Sequence, residues 1–295
     1  MASHWSATDV NVKGRSFIVT GANSGIGRAA ASVLARAGAS VTLAVRDVDK
    51  GEAAAAAMTG RVSVRHLDLA SLASVRSFAA SIDEPFDVLV NNAGVMAVPL
   101  ERTHDGFEMQ IGTNHLGHFA LANLLLPLIR ERIVVVSSEM HRRGRVDLED
   151  LNWQTRRYQA WDAYAQSKLA NLLFAHELER RLERHASPVR AVAVHPGYAA
   201  TNLQSHIGRR VTSVVMSVGN RLLAQSEAMG ALPTLYGATM DVSGGSYVGP
   251  KGFLRLRGYP AVGAPSKRAL DAATGVALWN LSEELTGVAW GLGEL

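Results

Sequence analysis

The sequence predicts an α/β fold, with one doubly wound parallel sheet sandwiched between helices in three layers. Three observations carry that expectation. Apolar runs of five or six residues recur along the chain with helical stretches between them, a pattern that calls for parallel strands buried on both faces. The first run, Phe17-Ile18-Val19, leads straight into a glycine-rich turn, Thr20 to Gly27. No long polar linker divides the 295 residues, of which 47% are hydrophobic and 19% charged, so one domain over residues 1–295 is expected.

The elements follow in order. Arg15 to Thr20 is strand one, and a helix runs from the glycine turn to about Ala37. Ser40 to Val45 is strand two, followed by a helix whose Ala53 to Ala57 run faces solvent. Val62 to Leu67 is strand three and Ser71 to Ile82 its helix. Phe86 to Val90 is strand four, ending in Asn91-Asn92-Ala93-Gly94. A long helix covers about Asp105 to Leu126, and Arg132 to Val136 is strand five. A helix from about Ala160 to Arg184 precedes strand six, Val189 to Val194. Beyond Pro196-Gly197 the pattern loosens. Residues 198–225 read as a substrate lid of helices carrying Val211, Val214, Val215, Met216 and Val218. Gly244 to Val248 is a last short strand, and a C-terminal helix covers about 266–286.

Composition excludes several classes. Twenty-seven glycines cluster after apolar strands, where turns need them. The net charge is +4, but the arginines scatter in pairs (Arg142-Arg143, Arg156-Arg157, Arg180-Arg181, Arg209-Arg210), a solvated surface and not a nucleic-acid stripe. The absence of cysteine removes disulfides, thiolate metal sites and cysteine nucleophiles, and fits a reducing cytoplasm. Residues 1–12 lack the basic and apolar regions of a signal peptide, and the greasiest run, Phe119 to Ile129, is too short to span a bilayer. A cytoplasmic enzyme without a transmembrane segment is therefore expected. His115-x-x-His118 lies on one helix face without a carboxylate to complete a metal motif, so both histidines read as packing residues and no metal is expected.

The turn Gly21-x3-Gly25-x-Gly27 lies between an apolar strand and an Ala-rich helix. There, free N–H groups and the helix dipole attract a pyrophosphate, which makes the sheet Rossmann-type and Gly21, Asn23, Ser24, Gly25, Ile26 and Gly27 dinucleotide-binding. The end of strand two decides which dinucleotide. Val45 stands where an acid would bind the adenosine ribose, and Arg46 follows it, with Arg28 just past the turn. An arginine there suits a 2′-phosphate, so NADP is expected in preference to NAD. Asp68, with Leu69 beside it at the end of strand three, is placed to accept from the adenine amino group; the competing reading makes Asp68 a helix cap.

Tyr164 and Lys168 stand four apart and share a helix face. A cation within about 4–6 Å typically lowers an acid's pKa by roughly 1–3 units, which would bring the phenol toward neutral pH.

These residues resemble the short-chain dehydrogenase/reductase family from about residue 12 to 250. The motifs are Thr20-Gly-x3-Gly-x-Gly27, Asn91-Asn-Ala-Gly94, Asn114, Ser138, Tyr164-x3-Lys168, and Pro196-Gly197 with Thr201. Val136-Ser137-Ser138-Glu139-Met140-His141, Ser167-Lys168-Leu169-Ala170-Asn171 and Val194-His195-Pro196-Gly197 resemble its retinol-dehydrogenase-like branch. The resemblance implies that Tyr164 exchanges a proton with the substrate oxygen, Lys168 lowers its pKa and holds the nicotinamide ribose, and Ser138 donates to the same oxygen. It implies that Asn114, through its main chain in a distorted helix, holds a water that relays protons from Lys168. Asn91, Ala93 and Gly94 would line the adenosine, and Pro196, Gly197 and Thr201 the carboxamide and phosphates.

The implied function is an NADP(H)-dependent oxidoreductase acting on an alcohol or its carbonyl. The alternative from another class is a silent dinucleotide-binding regulator of the same fold. The substrate side draws on Ser138, Met140, Tyr164 and Tyr198, with Val95, Met96, Trp153, Tyr158, Trp161 and Leu203 nearby and the insert Arg142 to Asp162 as one wall. That set is bulky and apolar, which favours a hydrophobic small molecule. Leu172, Leu173, Ala175 and Leu178 exceed what one buried stripe needs. The resemblance implies that this helix packs against a symmetry mate, so a homodimer or homotetramer is expected, the competing reading being that the C-terminal segment covers the face within one chain.

Overall fold

Strand β1 (Ser16–Thr20) takes its place near the middle of an eight-stranded sheet in the computed structural model, which describes residues 5–198, 225–252 and 255–293. The other strands are β2 (Ser40–Val45), β3 (Arg61–His66), β4 (Phe86–Asn91), β5 (Ile129–Val136), β6 (Arg190–Val194), β7 (Tyr247–Pro250) and β8 (Pro260–Gly263). Their order is β3-β2-β1-β4-β5-β6-β7-β8, all pairs parallel except β7 with β8. The chain reverses its direction of travel between β1 and β4. That switch point opens a crevice at the carboxyl ends of the strands, where such sheets bind ligands.

Alternation along each strand divides the core into two. Ile18, Leu89, Ile133 and Val135 pack on one face beneath α3 (Leu72–Ala80), α5 (Gly117–Leu125), α6 (Ala160–Arg184) and α8 (Ala272–Thr286). Phe17, Val19, Val88, Val90 and Val134 pack on the other beneath α1 (Gly25–Arg36), α2 (Val48–Ala56) and α7 (Glu227–Thr239). The central strands β1, β4, β5 and β6 thus bury both faces, as their near-continuous apolar composition requires, while β3 and β8 at the edges are partly exposed.

Several boundaries differ from the expectation. The long helix over 105–126 is broken. Residues 101–108 form a tight loop closed by an Arg102–Glu108 bridge, and Asp105 accepts the Leu72 N–H at 2.8 Å. The buried Glu108 carboxylate then caps α4 (Met109–Ile111), accepting from Gln110 and Ile111. A π-turn, Gly112–Leu116, joins α4 to α5. The C-terminal helix is a 3₁₀ turn, Lys267–Leu270, followed by α8 with the Asp271 carboxylate as its cap. Strand β5 starts at Ile129, and a register shift opposite Phe86 and Val88 absorbs the early start. The last parallel strand begins at Tyr247, because Gly244 and Gly245 form a turn against Glu179. Strand β8 was not expected; its four residues are partly exposed and begin with a proline, which gives little apolar signal.

Helix α6 is buried from Ala163 to Glu179. Leu172, Leu173, Ala175 and Leu178 are each at most 1% exposed and pack in the core with α8, through Phe174 stacked on Trp279 at 5.8 Å. The apolar surplus is thus consumed within one chain and supplies no free face for self-association. Near its far end, Glu177 is 1% exposed and holds Arg180 (2.8 Å), Arg181 (2.9 Å) and Arg184 (3.7 Å) around it. Among the described residues, no helix is long and apolar enough to cross a membrane.

Candidate active site

The glycine turn fits a dinucleotide in three ways. Gly21 has φ +66°, and a Cβ on it would lie 2.9 Å from the Cα and Cβ of Ala93, so the β1 and β4 turns touch. A Cβ on Gly27 would overlap Asn92 Nδ2 and Gly21 O, so glycine there lets the start of α1 pack tightly against the two turns. Ser24 caps α1 without a side-chain bond, and Arg28 N–H to Ser24 O (3.1 Å) is the first bond of the helix. The N–H groups of Gly25, Ile26 and Gly27 therefore point outward as an anion cradle, with Asn23 and Ser24 on the approach. Asn91, fully buried at the end of β4, has neither amide atom paired among the described residues.

At the end of β2, Val45 is buried and Arg46 is exposed. The next carboxylate, Asp47, caps α2 and is 2.6 Å from Lys50, whose hydrogen bonds hold its pKa low, with the Arg46 charge adding to the shift. Arg28 is engaged by Glu227 of α7 at 3.1 Å. Asp68 does not cap the helix, whose N-cap is Ser71: its Oδ1 accepts Ala70 N–H (2.9 Å), while Oδ2 lies 4.0 Å from His104 Nε2. Leu69 has its side chain in the core, 6% exposed, and its carbonyl packs on Gly117, where a Cβ would come within 2.4 Å of it.

Four candidate residues converge where β4, β5, α6 and the π-turn meet. Ser138, just past β5, caps a 3₁₀ turn by accepting Met140 N–H at 3.2 Å, and its hydroxyl lies close enough to the Tyr164 phenol to favour the phenolate. Lys168 Nζ lies 5.7 Å from the Tyr164 ring centre and donates to Val136 O at 3.2 Å. Asn171 donates to the same carbonyl at 3.1 Å, and Ser137 Oγ donates to Lys168 O at 2.8 Å, which straps α6 to the end of β5. A Cβ on Gly94 would come 2.9 Å from Asn114 Oδ1 and 3.5 Å from Lys168 Nζ, so both converge on that glycine.

The π-turn holding Asn114 is the distorted helix that the resemblance implies, and such turns gather at functional sites. The Asn114 side chain is fully spent: Oδ1 accepts Val95 N–H (2.8 Å), and Nδ2 donates to Val95 O and Ser167 Oγ (both 2.9 Å). Only its main chain is left for other work.

The electrostatics correct one expectation. Burial raises Tyr164 to about 12, offset only by the Ser138 hydrogen bond, and burial lowers Lys168 to about 8. Loss of hydration opposes both charged forms and outweighs the attraction between them at this separation. The site therefore presents a protonated phenol next to an ammonium that titrates close to neutral pH.

Other expectations are met in part. Pro196 and Gly197 follow β6; Gly197 has φ +70°, and a Cβ on it would overlap Leu256 O. Gln225 Nε2 donates to Pro196 O at 2.5 Å, and Gly197 N–H donates to His195 Nδ1 at 3.3 Å. Met140 and Tyr198 are half-buried beside this corner. Thr201, Leu203 and the 199–224 part of the expected lid lie outside the described residues. Trp161 is 43% exposed with its ring edge-on to Tyr164 at 6.2 Å, but Trp153 and Tyr158 are taken up by the insert's own packing. Arg156 stacks on Trp153 at 3.7 Å, and the Tyr158 hydroxyl contacts Val98 O and Glu108.

Sequence reasoning gave no role to Thr20 or Glu139. Thr20 Oγ1 accepts the N–H groups of both Asn92 and Ala93 at 2.9 Å, fastening the two turns. Its signal was a buried hydroxyl directly before the first glycine. Glu139, next to Ser138, accepts from Arg142 (2.6 Å) and Tyr247 (3.2 Å) and lies 3.2 Å from His195 Nε2. Burial lowers His195 to about 4, so it meets Glu139 neutral, as a dipole and not as a cation. Partners so distant in the chain leave no mark at Glu139 itself.

A doubly wound sheet, a glycine cradle at its switch point and a Ser-Tyr-Lys set whose tyrosine and lysine are buried define a nicotinamide-dependent oxidoreductase of the short-chain type. The family model for short chain dehydrogenase matches residues 15–212, and the chain belongs to the short-chain dehydrogenase/reductase family, oxidoreductases that bind NAD(P) and act on CH–OH groups. It is retinol-dehydrogenase-like. It is 45% identical to retinol dehydrogenase 13 of Homo sapiens over 94% of this chain and 86% of that protein. To retinol dehydrogenase 14 of Mus musculus it is 39% identical over 93% of this chain and 86% of that protein. A crystal structure of an uncharacterized protein from Mycobacterium Paratuberculosis is 51% identical and superposes with a TM-score of 0.87, covering 98% of this chain and 99% of that one. The NADP complex of Pseudomonas aeruginosa RhlG, at 23% identity and a TM-score of 0.63 over 80% of this chain and 94% of that one, shares the fold.

Proposed function

We propose that this protein reduces a hydrophobic aldehyde or ketone with NADPH, and catalyses the reverse oxidation of the alcohol. The observation that carries the proposal is the half-buried Ser138 hydroxyl facing the buried Tyr164, with buried Lys168 beside it, at the carboxyl end of the sheet. A bound nicotinamide would supply the hydride. Ser138 orients the substrate oxygen and stabilises charge on it, and Tyr164 delivers the proton. With Tyr164 pushed up to about 12, the phenol holds its proton across the physiological range, which suits the acid role that reduction requires. Lys168, lowered to about 8, replenishes that proton from the Asn114 side of the site.

Val45 and the exposed Arg46 support NADP over NAD, because a guanidinium pairs with a 2′-phosphate and a carboxylate would repel it. The retinol dehydrogenases among the relatives, together with Met140, Trp161 and Tyr198 near Tyr164, support an apolar, extended substrate. The test is NADPH oxidation at 340 nm across retinal, long-chain aldehydes, steroid ketones, aromatic aldehydes and aldoses. Turnover confined to the apolar members is expected. Turnover of the sugars alone, or none with any carbonyl despite NADPH binding, overturns the reading.

A further inference from the structure

Asn114 leaves only its main chain available, and one side chain reaches that main chain. His118, 1% exposed in the first turn of α5, places Nδ1 at 3.1 Å from Asn114 O and Nε2 at 2.9 Å from Thr20 Oγ1. Thr20 Oγ1 already accepts from Asn92 N–H and Ala93 N–H, both at 2.9 Å. Proton counting fixes the whole chain. A carbonyl only accepts, so His118 Nδ1 carries the hydrogen. In a neutral ring Nε2 is then an acceptor, and the Thr20 hydroxyl donates to it while using its two lone pairs on the two amides. An imidazolium would drive a third donor into the same oxygen and leave the hydroxyl only Val90 O, at 3.4 Å.

We propose that His118 is a positioning residue: as the neutral Nδ1–H tautomer it locks the Asn114 carbonyl to the Thr20 hydroxyl, and so ties the proton-supply side of the site to the cofactor cradle. The role rests on the oxidoreductase reading above for its kinetic consequence, but not for the bonding itself. One ring sets three things at once: the direction of the Asn114 carbonyl within the π-turn, the rotamer of Thr20 before Gly21, and through Thr20 the Asn92-Ala93 turn that touches Gly21. The charged group acting on the ring is Lys168, which disfavours a positive charge there, and the ring in turn disfavours charge on His115. Burial and Lys168 together keep His118 at about 4. His115 takes no part: its Nε2 pairs with Ser282 of α8 at 2.9 Å, away from the crevice.

Three variants separate the two ends of the ring. His118→Asn keeps an amide where Nδ1 was and gives up Thr20. His118→Gln reaches toward Nε2 and gives up Asn114. His118→Phe keeps the volume and gives up both. The readouts are NADPH dissociation constant by tryptophan fluorescence, kcat and its pH profile, thermal midpoint, and the ring tautomer of the wild type by long-range proton–nitrogen NMR between pH 5 and 8. Losing a buried hydrogen bond at either end is expected to cost about 10-fold in the matching readout. That means weaker NADPH binding with kcat nearly kept for His118→Asn, a lower kcat with a displaced pH profile and NADPH binding kept for His118→Gln, and both losses for His118→Phe. Three folded variants that lower only the thermal midpoint, or an Nε2–H or doubly protonated ring in the wild type at pH 6, overturn the proposal. A wild type inactive on every carbonyl sinks the oxidoreductase reading instead, while the tautomer still decides the bonding.

Discussion

Replacing Gly94 with alanine tests the convergence of the site at its tightest point. The added Cβ would sit 2.9 Å from Asn114 Oδ1, closer than real Cβ atoms come, and 3.5 Å from Lys168 Nζ. Asn114 is fully buried and cannot swing aside freely, because its amide makes three hydrogen bonds of 2.8 to 2.9 Å. Relieving the clash breaks one or two of them, at a cost of about 1–3 kcal/mol. For a chain of this size each kcal/mol lowers the melting midpoint by about 2–4 °C, so a drop of roughly 3–10 °C is expected. Lys168 is pressed at the same time, and a small displacement of a catalytic group can lower turnover by about 10²-fold. Scanning fluorimetry and NADPH oxidation measure the two effects on one preparation. A variant that melts within a degree of wild type and keeps its turnover would refute the claim that Asn114 and Lys168 meet on this glycine.

Tyr164→Phe removes the exchangeable proton and keeps the ring, so kcat should fall by about 10²–10⁴-fold while NADPH binding stays within a few-fold by fluorescence titration; normal turnover would remove Tyr164 from the chemistry. Arg46→Ala should weaken NADPH binding by about 10- to 150-fold, the worth of a paired charge contact, and leave NADH nearly untouched; calorimetry showing equal effects on both cofactors rejects the 2′-phosphate contact. Acid should destabilise the fold well above the carboxylate range, because burial lowers His118, His176 and His195 each to about 4 and His115 to about 3. Between those values and the unfolded value near 6.5 the unfolded chain binds more protons, so stability is full above about pH 6.5 and declines as pH falls toward 4, with at least about 2 kcal/mol lost by pH 5. Urea unfolding at pH 7.5 and pH 5 measures that loss, and equal midpoints contradict it.

The sheet was legible because its central strands are apolar on both faces and its turns carry glycine, signals confined to a few adjacent residues. That Tyr164, Lys168 and Ser138 would come together was legible for a similar reason: Tyr164 and Lys168 are one helical turn apart, and Ser138 ends a strand. What the sequence hid depends on contacts between distant segments. Asp105 reads as the start of a helix until it is seen capping α3, 33 residues upstream. Tyr158 reads as pocket lining until its hydroxyl meets Glu108 and Val98. The surplus leucines of α6 read as an interface until α8 folds over them. The Tyr164 pKa moved opposite to expectation because a pair spacing predicts proximity and says nothing of how much water the pair loses.

Helix α6 places Tyr164 and Lys168 near one end and the Glu177 arginine cluster near the other, about 20 Å along the same rod at 1.5 Å per residue. Every turn between them is buried, so no part of the rod opens without opening the core. Amide hydrogens around Tyr164 should exchange with deuterated solvent only at the rate of global unfolding, as slowly as those of β4 and β5. The proton-transfer groups thus inherit the slowest clock in the molecule, and whatever motion admits a substrate has to belong to the elements that face them.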